Sequence, residues 1–275
     1  MMKTIDVPIW QVDAFADAPF TGNPAAVCIL DAYPSDAWMQ NIAAEMNLSE
    51  TSFVVPADQR GDFHLRWFTP TVEVDLCGHA TLAAAFTLFE RGRVNAGDQI
   101  RFQTRSGELT CEQQGHRISL DFPASPIIEA VEESVATEVR EALGISAAEV
   151  QRSKFDMVAI VGDARTVRNL IPDFNRLGKI RTRGVMVTSK SDHADADFIS
   201  RFFAPQCGIN EDPVTGSAHC CLAPYWAERL GKTSLIGYQA SRRGGTVHCQ
   251  MVGDRVKISG QAVTVLEGRL WVDPE

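Results

Sequence analysis

The stretch DLCGHATLAAAF at residues 75–86 decides the fold, because it begins a helix that is apolar on every side. Residues 80–89, ATLAAAFTLF, have no polar stripe, and a helix that is hydrophobic all round is buried in a protein core. Such a helix still begins with unpaired N–H groups, which need partners. Cys77, Gly78 and His79 stand at this start, and a core helix needs none of the three there. We interpret the start of this helix as the edge of a functional site.

The second half of the chain repeats this pattern. Gly216 lies 138 residues after Gly78, and RFFAP (201–205) repeats RWFTP (66–70) at a slightly shorter offset. Further pairs at the 138-residue offset are Ala80 and Ala218, Glu90-Arg91 and Glu228-Arg229, Arg105 and Arg243, Gly107 and Gly245, Cys111 and Cys249, Gly115 and Gly253, and Arg117 and Arg255. Agreement in one register over this length indicates two copies of one structural unit.

Local patterns predict the elements of each copy. Apolar helices are predicted at 78–92 and 216–230, and each is followed by short strands with Gly-containing turns. The predicted strands are 98–104, 107–113, 116–122, 235–240, 246–250 and 254–259, and further helices are predicted at 36–46 and 163–171. The sequence therefore predicts an α+β fold with two pseudo-symmetric domains, each a β-barrel-like sheet wrapped around a central apolar helix. The predicted domains are 1–122 and 123–261, and 262–275 is a candidate strand that joins the first domain.

The composition excludes several classes of protein. The chain has 275 residues, a net charge of -9 and no Lys/Arg cluster, so neither nucleic acid nor an anionic membrane is an expected partner. No apolar run is long enough to span a bilayer, and the N-terminus has no signal-peptide pattern. The seven cysteines and six histidines lack the spacing of a disulfide framework or of a metal site. We therefore expect a cytoplasmic protein with reduced thiols and no metal.

The glycine that opens each apolar helix indicates a ligand site. Glycine lets backbone N–H groups approach a ligand closely, and the N-terminus of a helix favours an anion. Gly78-His79 and Gly216-Ser217 are therefore expected to be equivalent corners of one cleft. Two such helix starts would form a paired anion site that suits a small carboxylate substrate.

Four motifs carry a resemblance to a known family. They are QVDAF with FTGNPAAV (11–27), NLSETSFV (47–54), CGHAT (77–81) and EDPVTGSAH (211–219). In these motifs the chain resembles the PhzF-like family, named for a phenazine-biosynthesis isomerase, whose fold is similar to that of diaminopimelate epimerase. The resemblance implies two pseudo-symmetric domains with the active site between them, no metal, no organic cofactor and, by analogy, a homodimer.

The resemblance also implies roles for particular residues. The implied catalytic residues are Glu50 as the acid/base carboxylate, with His79, Asp212 and Ser217 as its partners around the substrate. The implied substrate-binding residues are Ser49, Gly78, Thr215 and Gly216. Because Glu50 precedes the apolar run TSFVV, we expect burial to raise its pKa and to let it exchange a proton near neutral pH.

Cys77 leaves a second mechanism open. Diaminopimelate epimerase and proline racemase use two opposed cysteines, each just before the glycine that opens a central helix. Here the first position is Cys77 and the second is Thr215, which cannot act as a base. A free cysteine is usually a small buried hydrophobe, but a helix N-terminus can stabilise its thiolate.

Each candidate also has a purely structural interpretation. Glu50 alone would be a strand-edge carboxylate and His79 a helix cap. Asp212 before Pro213 is typical of a turn, and Ser217 is an ordinary serine at a helix start. The repeated helix starts and the family motifs favour the functional interpretation for all four.

The sequence therefore predicts a cofactor-independent isomerase that acts on a small carboxylate-bearing metabolite, either phenazine-precursor-like or amino-acid-like. Glu50 would take a proton from carbon, and a proton would return to another carbon. Two alternatives remain: a racemase, epimerase or hydrolase that uses Cys77, and a metabolite-binding protein that has the fold without the chemistry.

Overall fold

The structure, a computed structural model, describes residues 5–57 and 61–273. The chain divides into two units. The first unit consists of Met1–Asp121 together with Ser259–Glu275, and the second consists of Phe122–Ile258.

Up to residue 123, the described part of the chain contains two helices and eight strands. The helices are α1 (Asp36–Met46) and α2 (Gly78–Glu90). The strands are β1 (Ile5–Ala14), β2 (Asn23–Ile29), β3 (Glu50–Pro56), β4 (Asp62–Phe68), β5 (Glu73–Val74), β6 (Gln99–Thr104), β7 (Gly107–Gln114) and β8 (Arg117–Pro123).

After residue 123, the described part of the chain contains four α-helices, one short 3-10 helix and ten strands. The helices are α3 (Glu133–Leu143), α4 (Ala164–Arg168), α5 (Phe174–Leu177) and α6 (Gly216–Leu230), with a short 3-10 helix at Pro205–Cys207. The strands are β9 (Glu129–Ala130), β10 (Glu149–Arg152), β11 (Met157–Ile160), β12 (Val185–Lys190), β13 (Phe198–Ala204), β14 (Ile209–Asp212), β15 (Ser234–Gln239), β16 (Gly245–Val252), β17 (Arg255–Gly260) and β18 (Ala262–Val272). In the first unit, β18 pairs antiparallel with β1.

The two units pair their strands in the same order. In the first unit β2 and β3 are parallel, β3 and β4 antiparallel, β4 and β5 antiparallel, β4 and β6 parallel, and β6 and β7 antiparallel. The second unit repeats this scheme with β11, β12, β13, β14, β15 and β16. The predicted α+β fold with two similar halves is confirmed, and the repeat extends further upstream than the sequence identities do.

The repeat includes two equivalent half-buried ion pairs, which the sequence alone did not predict. Arg66 in β4 binds Glu73 in β5 through two contacts of 2.7 and 2.6 Å. Arg201 in β13 binds Glu211 in β14 in the same way, at 2.7 and 2.9 Å. Such forked arginine–carboxylate contacts fix geometry as well as charge. In the second unit the ion pair joins β13 to β14, the strand that ends at Asp212.

Each unit has one buried helix. The α2 helix packs against β1, β2, β3, β7 and β18, and its residues Leu82, Ala83, Ala84 and Leu88 have no exposed surface. Small alanine side chains let strands approach the helix on several sides. The α6 helix continues through Pro224, which has no N–H to donate to the carbonyl of Cys220. That carbonyl instead accepts a hydrogen bond from the amide of Ser125 at 3.0 Å.

No helix in the described part of the chain is both long enough and apolar enough to cross a membrane.

Candidate active site

Glu50 is the first residue of β3, and its side chain points toward the start of α2. Because β2 and β3 run parallel with Ala25 opposite Glu50, the first residue of β3 lies beside the N-terminal part of β2. Ser52 donates a hydrogen bond from Oγ to the carbonyl of Ala80 at 3.0 Å, so this face of β3 touches the first turn of α2. Residues two apart on a strand share a face, and Glu50 therefore points the same way as Ser52.

Glu50 and His79 form the centre of the site in the first unit. Glu50 Oε2 lies 3.1 Å from His79 Nε2, and the His79 side chain is buried. On the other side of the imidazole ring, Cys77 Sγ lies 3.5 Å from His79 Nδ1. The structure thus brings together three of the residues that the motifs singled out, with the imidazole between a carboxylate and a thiol.

Asn23 is a site residue that the sequence analysis quoted without assigning a role. Its side-chain amide lies 3.1 Å from His79 Nδ1 and 3.3 Å from Ser49 Oγ. Gly22 before it has a φ of +65°, and a Cβ there would lie 2.2 Å from the carbonyl oxygen of Ala14. The sequence signal for this residue is a polar asparagine directly after a glycine, at the start of the otherwise apolar strand β2. Among the described residues, Ser49 is linked to the site through its hydrogen bond with Asn23.

The expectation that Glu50 has a raised pKa is wrong. Burial does act to raise the pKa of Glu50, but the positive charge of His79 and close polar contacts with His79 and Cys77 outweigh it and lower the pKa below the usual 4.5. For His79, burial acts to lower the pKa, while negative charge on Cys77 and Glu50 acts to raise it above 6.5. Since Cys77 is a neutral thiol near neutral pH, the Glu50 carboxylate is the group that supplies this charge there. The favoured state near neutral pH is therefore a Glu50 carboxylate beside a protonated His79.

The environment of Cys77 disfavours a thiolate. Burial first, and then the Glu50 carboxylate, raise the pKa of Cys77 to about 11, although His79 opposes this shift. The helix N-terminus does not overcome these effects. Near neutral pH Cys77 is a thiol, which can donate a proton but is a poor base or nucleophile.

Both central helices begin without a side-chain cap. Cys77 and Thr215 are the N-cap residues of α2 and α6, and neither side chain bonds to the first amides of its helix. An N-terminus that lacks a side-chain cap presents N–H groups to a ligand. Gly78 and Gly216 are the first residues of α2 and α6. Their role in substrate binding stays a prediction. The prediction that both helix starts share one cleft stays a prediction.

In the second unit, Asp212 and Thr215 lie together. The Thr215 hydroxyl donates to Asp212 Oδ2 at 2.6 Å, and its oxygen accepts a hydrogen bond from Gln239 Nε2 at 3.1 Å instead of one from the first amides of α6. Gln239 was not predicted, but it is fully buried. Its Nε2 donates to the carbonyl of Asp212 at 2.8 Å, and its Oε1 accepts from the Thr215 amide at 2.9 Å. Gln239 therefore fixes the turn between β14 and α6.

Ser217 lies at the same helix start but has a different partner. Its Oγ accepts a hydrogen bond from Arg183 Nη2 at 3.1 Å. Arg183 was not singled out in the sequence analysis, because it lies in an arginine-containing loop without a recognisable motif.

Glu50, Cys77 and His79 also have the chemistry of a metal-binding group. Their potential ligand atoms all lie within 4.8 Å of one another, and among the described residues no other group of three such side chains does so. Carboxylate oxygen, thiolate sulfur and imidazole nitrogen are all zinc ligands. A metal would need the lone pairs that protons occupy in the acid/base interpretation. The prediction of a metal-free site stays a prediction.

Alkylation distinguishes a reactive Cys77 from an inert one. Cys207 is exposed and Cys77 is buried, so iodoacetamide at pH 7 is expected to modify Cys207 well before Cys77. Peptide mass spectrometry at successive times measures the order, and a Cys207→Ser variant serves as the control. Rapid and selective labelling of Cys77 would contradict the neutral-thiol assignment and favour nucleophilic chemistry.

Sequence comparisons place these residues in a family context. The family model described as "Phenazine biosynthesis-like protein" matches residues 12–268. An uncharacterized isomerase of Halalkalibacterium halodurans is 50% identical over 271 residues, which cover 98% of this chain and 99% of that protein. The residues that the family model matches include every residue of the candidate site.

Structural comparisons agree with the sequence comparisons. A crystal structure of a phenazine biosynthesis protein of the PhzF family from Enterococcus faecalis has a TM-score of 0.89 and 42% identity, and the match covers 98% of this chain and 100% of that chain. A hydroxyproline epimerase from Agrobacterium vitis has a TM-score of 0.63 and 12% identity, with 99% and 94% covered. At that identity the epimerase shows a common fold alone.

Proposed function

Because the chain belongs to the phenazine biosynthesis-like family and is an isomerase, we propose that it moves a proton between carbon atoms of its substrate without a cofactor. The proposed substrate is a small carboxylate-bearing metabolite, either phenazine-precursor-like or amino-acid-like. Glu50 and His79 carry the acid/base chemistry.

The observation that carries this proposal is the 3.1 Å contact between Glu50 Oε2 and His79 Nε2, together with their opposite pKa shifts. A general base must be deprotonated at the working pH, and a general acid must be protonated. The lowered pKa of Glu50 and the raised pKa of His79 put both groups in these states near neutral pH. Glu50 takes the proton from carbon, and His79 holds or returns a proton.

The ion pair also limits which carbon can react. A carboxylate with a lowered pKa is a weak base, so it removes a proton only from a carbon that the substrate itself activates. A carboxylate or a conjugated double bond next to that carbon provides such activation. Negative charge then develops on the substrate, and backbone N–H groups at a helix N-terminus stabilise it. Gly78 and His79 supply these groups in the first unit.

The residues of the second unit have supporting roles in this proposal. Asp212, held by Thr215 and Gln239, orients polar groups of the substrate. Ser217 and the amide of Gly216 bind its carboxylate. The family motif EDPVTGSAH and the absence of a side-chain cap on α6 support these assignments.

A second candidate function is a Cys77-dependent racemase or hydrolase, which the 3.5 Å contact between Cys77 Sγ and His79 Nδ1 favours. The raised pKa of Cys77 and the threonine at position 215 oppose it. In the preferred proposal Cys77 is a neutral neighbour that polarises His79.

Solvent deuterium tests the proposal. The protein, dialysed against EDTA, is incubated in D₂O with a library of small carboxylates, and each compound is analysed by mass spectrometry and NMR. The expected result is deuterium in one compound or a close series, at a position that identifies the labile carbon. Tight binding of a compound without deuterium uptake or conversion would instead indicate a binding protein. Uptake that disappears with EDTA and returns with Zn²⁺ would contradict the cofactor-free mechanism.

A further inference from the structure

The ring of His79 has different neighbours at its two nitrogens. Nε2 lies 3.1 Å from Glu50 Oε2. Nδ1 lies 3.1 Å from the side-chain amide of Asn23, the first residue of β2, and 3.5 Å from Cys77 Sγ. The imidazole therefore has a proton-exchange partner at Nε2 and a group that does not titrate closest to Nδ1.

Asn23 connects both members of the Glu50–His79 pair. The Asn23 side chain has no exposed surface, and its amide also lies 3.3 Å from Ser49 Oγ. Ser49 directly precedes Glu50 in the chain. One buried amide thus links the start of β3, which carries Glu50, to the ring of His79.

The charge of His79 decides which end of the Asn23 amide faces it. A protonated imidazole donates from both nitrogens and accepts at neither. The oxygen and nitrogen ends of an asparagine amide have nearly the same shape, so the hydrogen-bond network determines its orientation. Beside a protonated His79, the carbonyl oxygen of Asn23 must face Nδ1, and its NH₂ group then donates to Ser49 Oγ. The sulfur of Cys77 is a weak acceptor in comparison.

The Nε2 atom is less well satisfied than Nδ1. Glu50 Oε2 lies 3.1 Å from it, yet within the described residues neither atom makes a hydrogen bond of good geometry. Both atoms are buried. Buried polar atoms without a hydrogen bond are uncommon, and a catalytic role is one reason for them. The proton on Nε2 is therefore the one that the ring can release.

We propose that Asn23 is a positioning residue that keeps a proton on Nδ1 of His79 and leaves Nε2 as the nitrogen that exchanges protons with the substrate. The catalytic part of this proposal rests on the proposed function. The Asn23 carbonyl accepts the Nδ1 hydrogen bond throughout the reaction. When His79 becomes neutral, its lone pair is then on Nε2, the nitrogen that faces Glu50.

This assignment closes the proton cycle. Glu50 takes a proton from one carbon, and the electron pair of the broken bond stays on the substrate. Another carbon then forms its new bond to the proton from Nε2, which leaves Glu50 protonated and His79 neutral. The proton on Glu50 passes to the Nε2 lone pair across the 3.1 Å contact and restores the starting pair. A neutral ring with its lone pair on Nδ1 could not accept this proton directly.

The tautomer of His79 in the ligand-free protein tests the proposal. The protein is labelled with ¹⁵N-histidine, and long-range ¹H–¹⁵N spectra are recorded at pH values on both sides of the titration of His79. The His79→Gln variant identifies its signals among those of the six histidines. Neutral His79 is expected to carry its proton on Nδ1. A neutral ring that is protonated on Nε2 would overturn the proposal.

The Asn23→Leu variant removes both polar ends of the amide at similar size. The Glu50 carboxylate is then the main acceptor beside the ring, so neutral His79 should carry its proton on Nε2. The value of kcat should fall roughly 10-fold to 100-fold, the effect of losing a hydrogen bond to a charged group, with little change in KM. Asn175→Leu, at an exposed position on α5, is the matched control and should behave like the wild type. An unchanged tautomer in Asn23→Leu would contradict the proposal.

The Asn23→Asp variant separates positioning from a purely structural role. A carboxylate has the shape of the amide and still accepts from Nδ1, so the Nδ1 tautomer should persist. Its negative charge should raise the pKa of His79 further and move the alkaline limb of kcat/KM to higher pH. The titratable groups that already act on His79, Glu50 on β3 and Cys77 before α2, are unchanged in this variant. Altered thermal stability with an unmoved alkaline limb would indicate a structural role alone. If Asn23→Leu does not fold, this variant and the wild-type tautomer decide the question.

The outcome is separable from that of the proposed function, because the tautomer is read without a substrate. The Nδ1 tautomer without deuterium uptake by any compound would support the role of Asn23 at His79 and contradict the isomerase mechanism. Deuterium uptake by a protein whose neutral His79 is protonated on Nε2 would do the reverse.

Discussion

The Glu50→Gln variant is expected to lose roughly 10²–10⁴-fold in kcat, the contribution typical of a general acid or base. Glutamine keeps the shape of the side chain and removes the group that titrates. Its amide can still contact His79, so the fold should be intact by circular dichroism and thermal unfolding. The measurement is the rate of deuterium incorporation or product formation with the compound that the library identifies.

Two further variants serve as the control and the comparison for Glu50→Gln. Glu45→Gln changes an exposed carboxylate on α1 and should leave kcat unchanged. Cys77→Ser should cost far less than Glu50→Gln and should not abolish deuterium exchange, because Cys77 is a neutral thiol at the working pH. An inactive Cys77→Ser with a near-normal Glu50→Gln would assign the protein to the thiol racemases or hydrolases.

The central helices were predictable because their signal is carried by many residues. All-round apolarity over 80–89 has few structural solutions, and α2 begins at Gly78 as predicted. Its predicted end at 92 is late by two residues, since α2 ends at Glu90 and Gly92 takes a positive φ. The amphipathic helix α3 was not predicted, although its buried positions Ala136, Val139 and Leu143 have helical spacing. It lies where the repeat signal fades.

The electrostatics of the site were not predictable from sequence alone. The apolar run after Glu50 suggested that burial would control its pKa, and burial does act in that direction. The decisive opposing group is His79, which lies 29 positions later in the chain and only 3.1 Å away in space. Sequence motifs named both residues but could not give the distance between them. At this distance the positive charge of His79 outweighs the effect of burial on the pKa of Glu50.

Residues that hold other residues in place were also hard to recognise. Asn23, Gln239 and Arg183 act through contacts with residues that are distant in the sequence. Of the three, Asn23 lies in a quoted motif, and Gln239 and Arg183 do not. The ion pairs Arg66–Glu73 and Arg201–Glu211 were accessible in principle, because Glu211 follows Glu73 at the same 138-residue offset as the helix starts. Both partners are identical in the two halves, because Arg66 and Arg201 begin the matched stretches RWFTP and RFFAP.

The His79→Gln variant is expected to lower kcat by a similar factor of roughly 10²–10⁴ and to change the pH profile in two ways. In the wild type, activity requires a deprotonated Glu50 and a protonated His79. Activity should therefore fall as the pH drops through the lowered pKa of Glu50, below 4.5, and as it rises through the raised pKa of His79, well above 6.5. Glutamine does not titrate, so the alkaline limb that His79 causes should disappear.

The acid limb should move in the same variant. His79 is the main group that lowers the pKa of Glu50, while burial acts to raise it. Without the imidazolium, the burial effect is no longer opposed by a charge, and the acid limb of kcat/KM should shift to higher pH. His116→Gln, on an exposed turn, is the matched control and should leave both limbs in place. An alkaline limb that survives in His79→Gln would assign that limb to another group, and an unmoved acid limb would show that Glu50 is not coupled to His79.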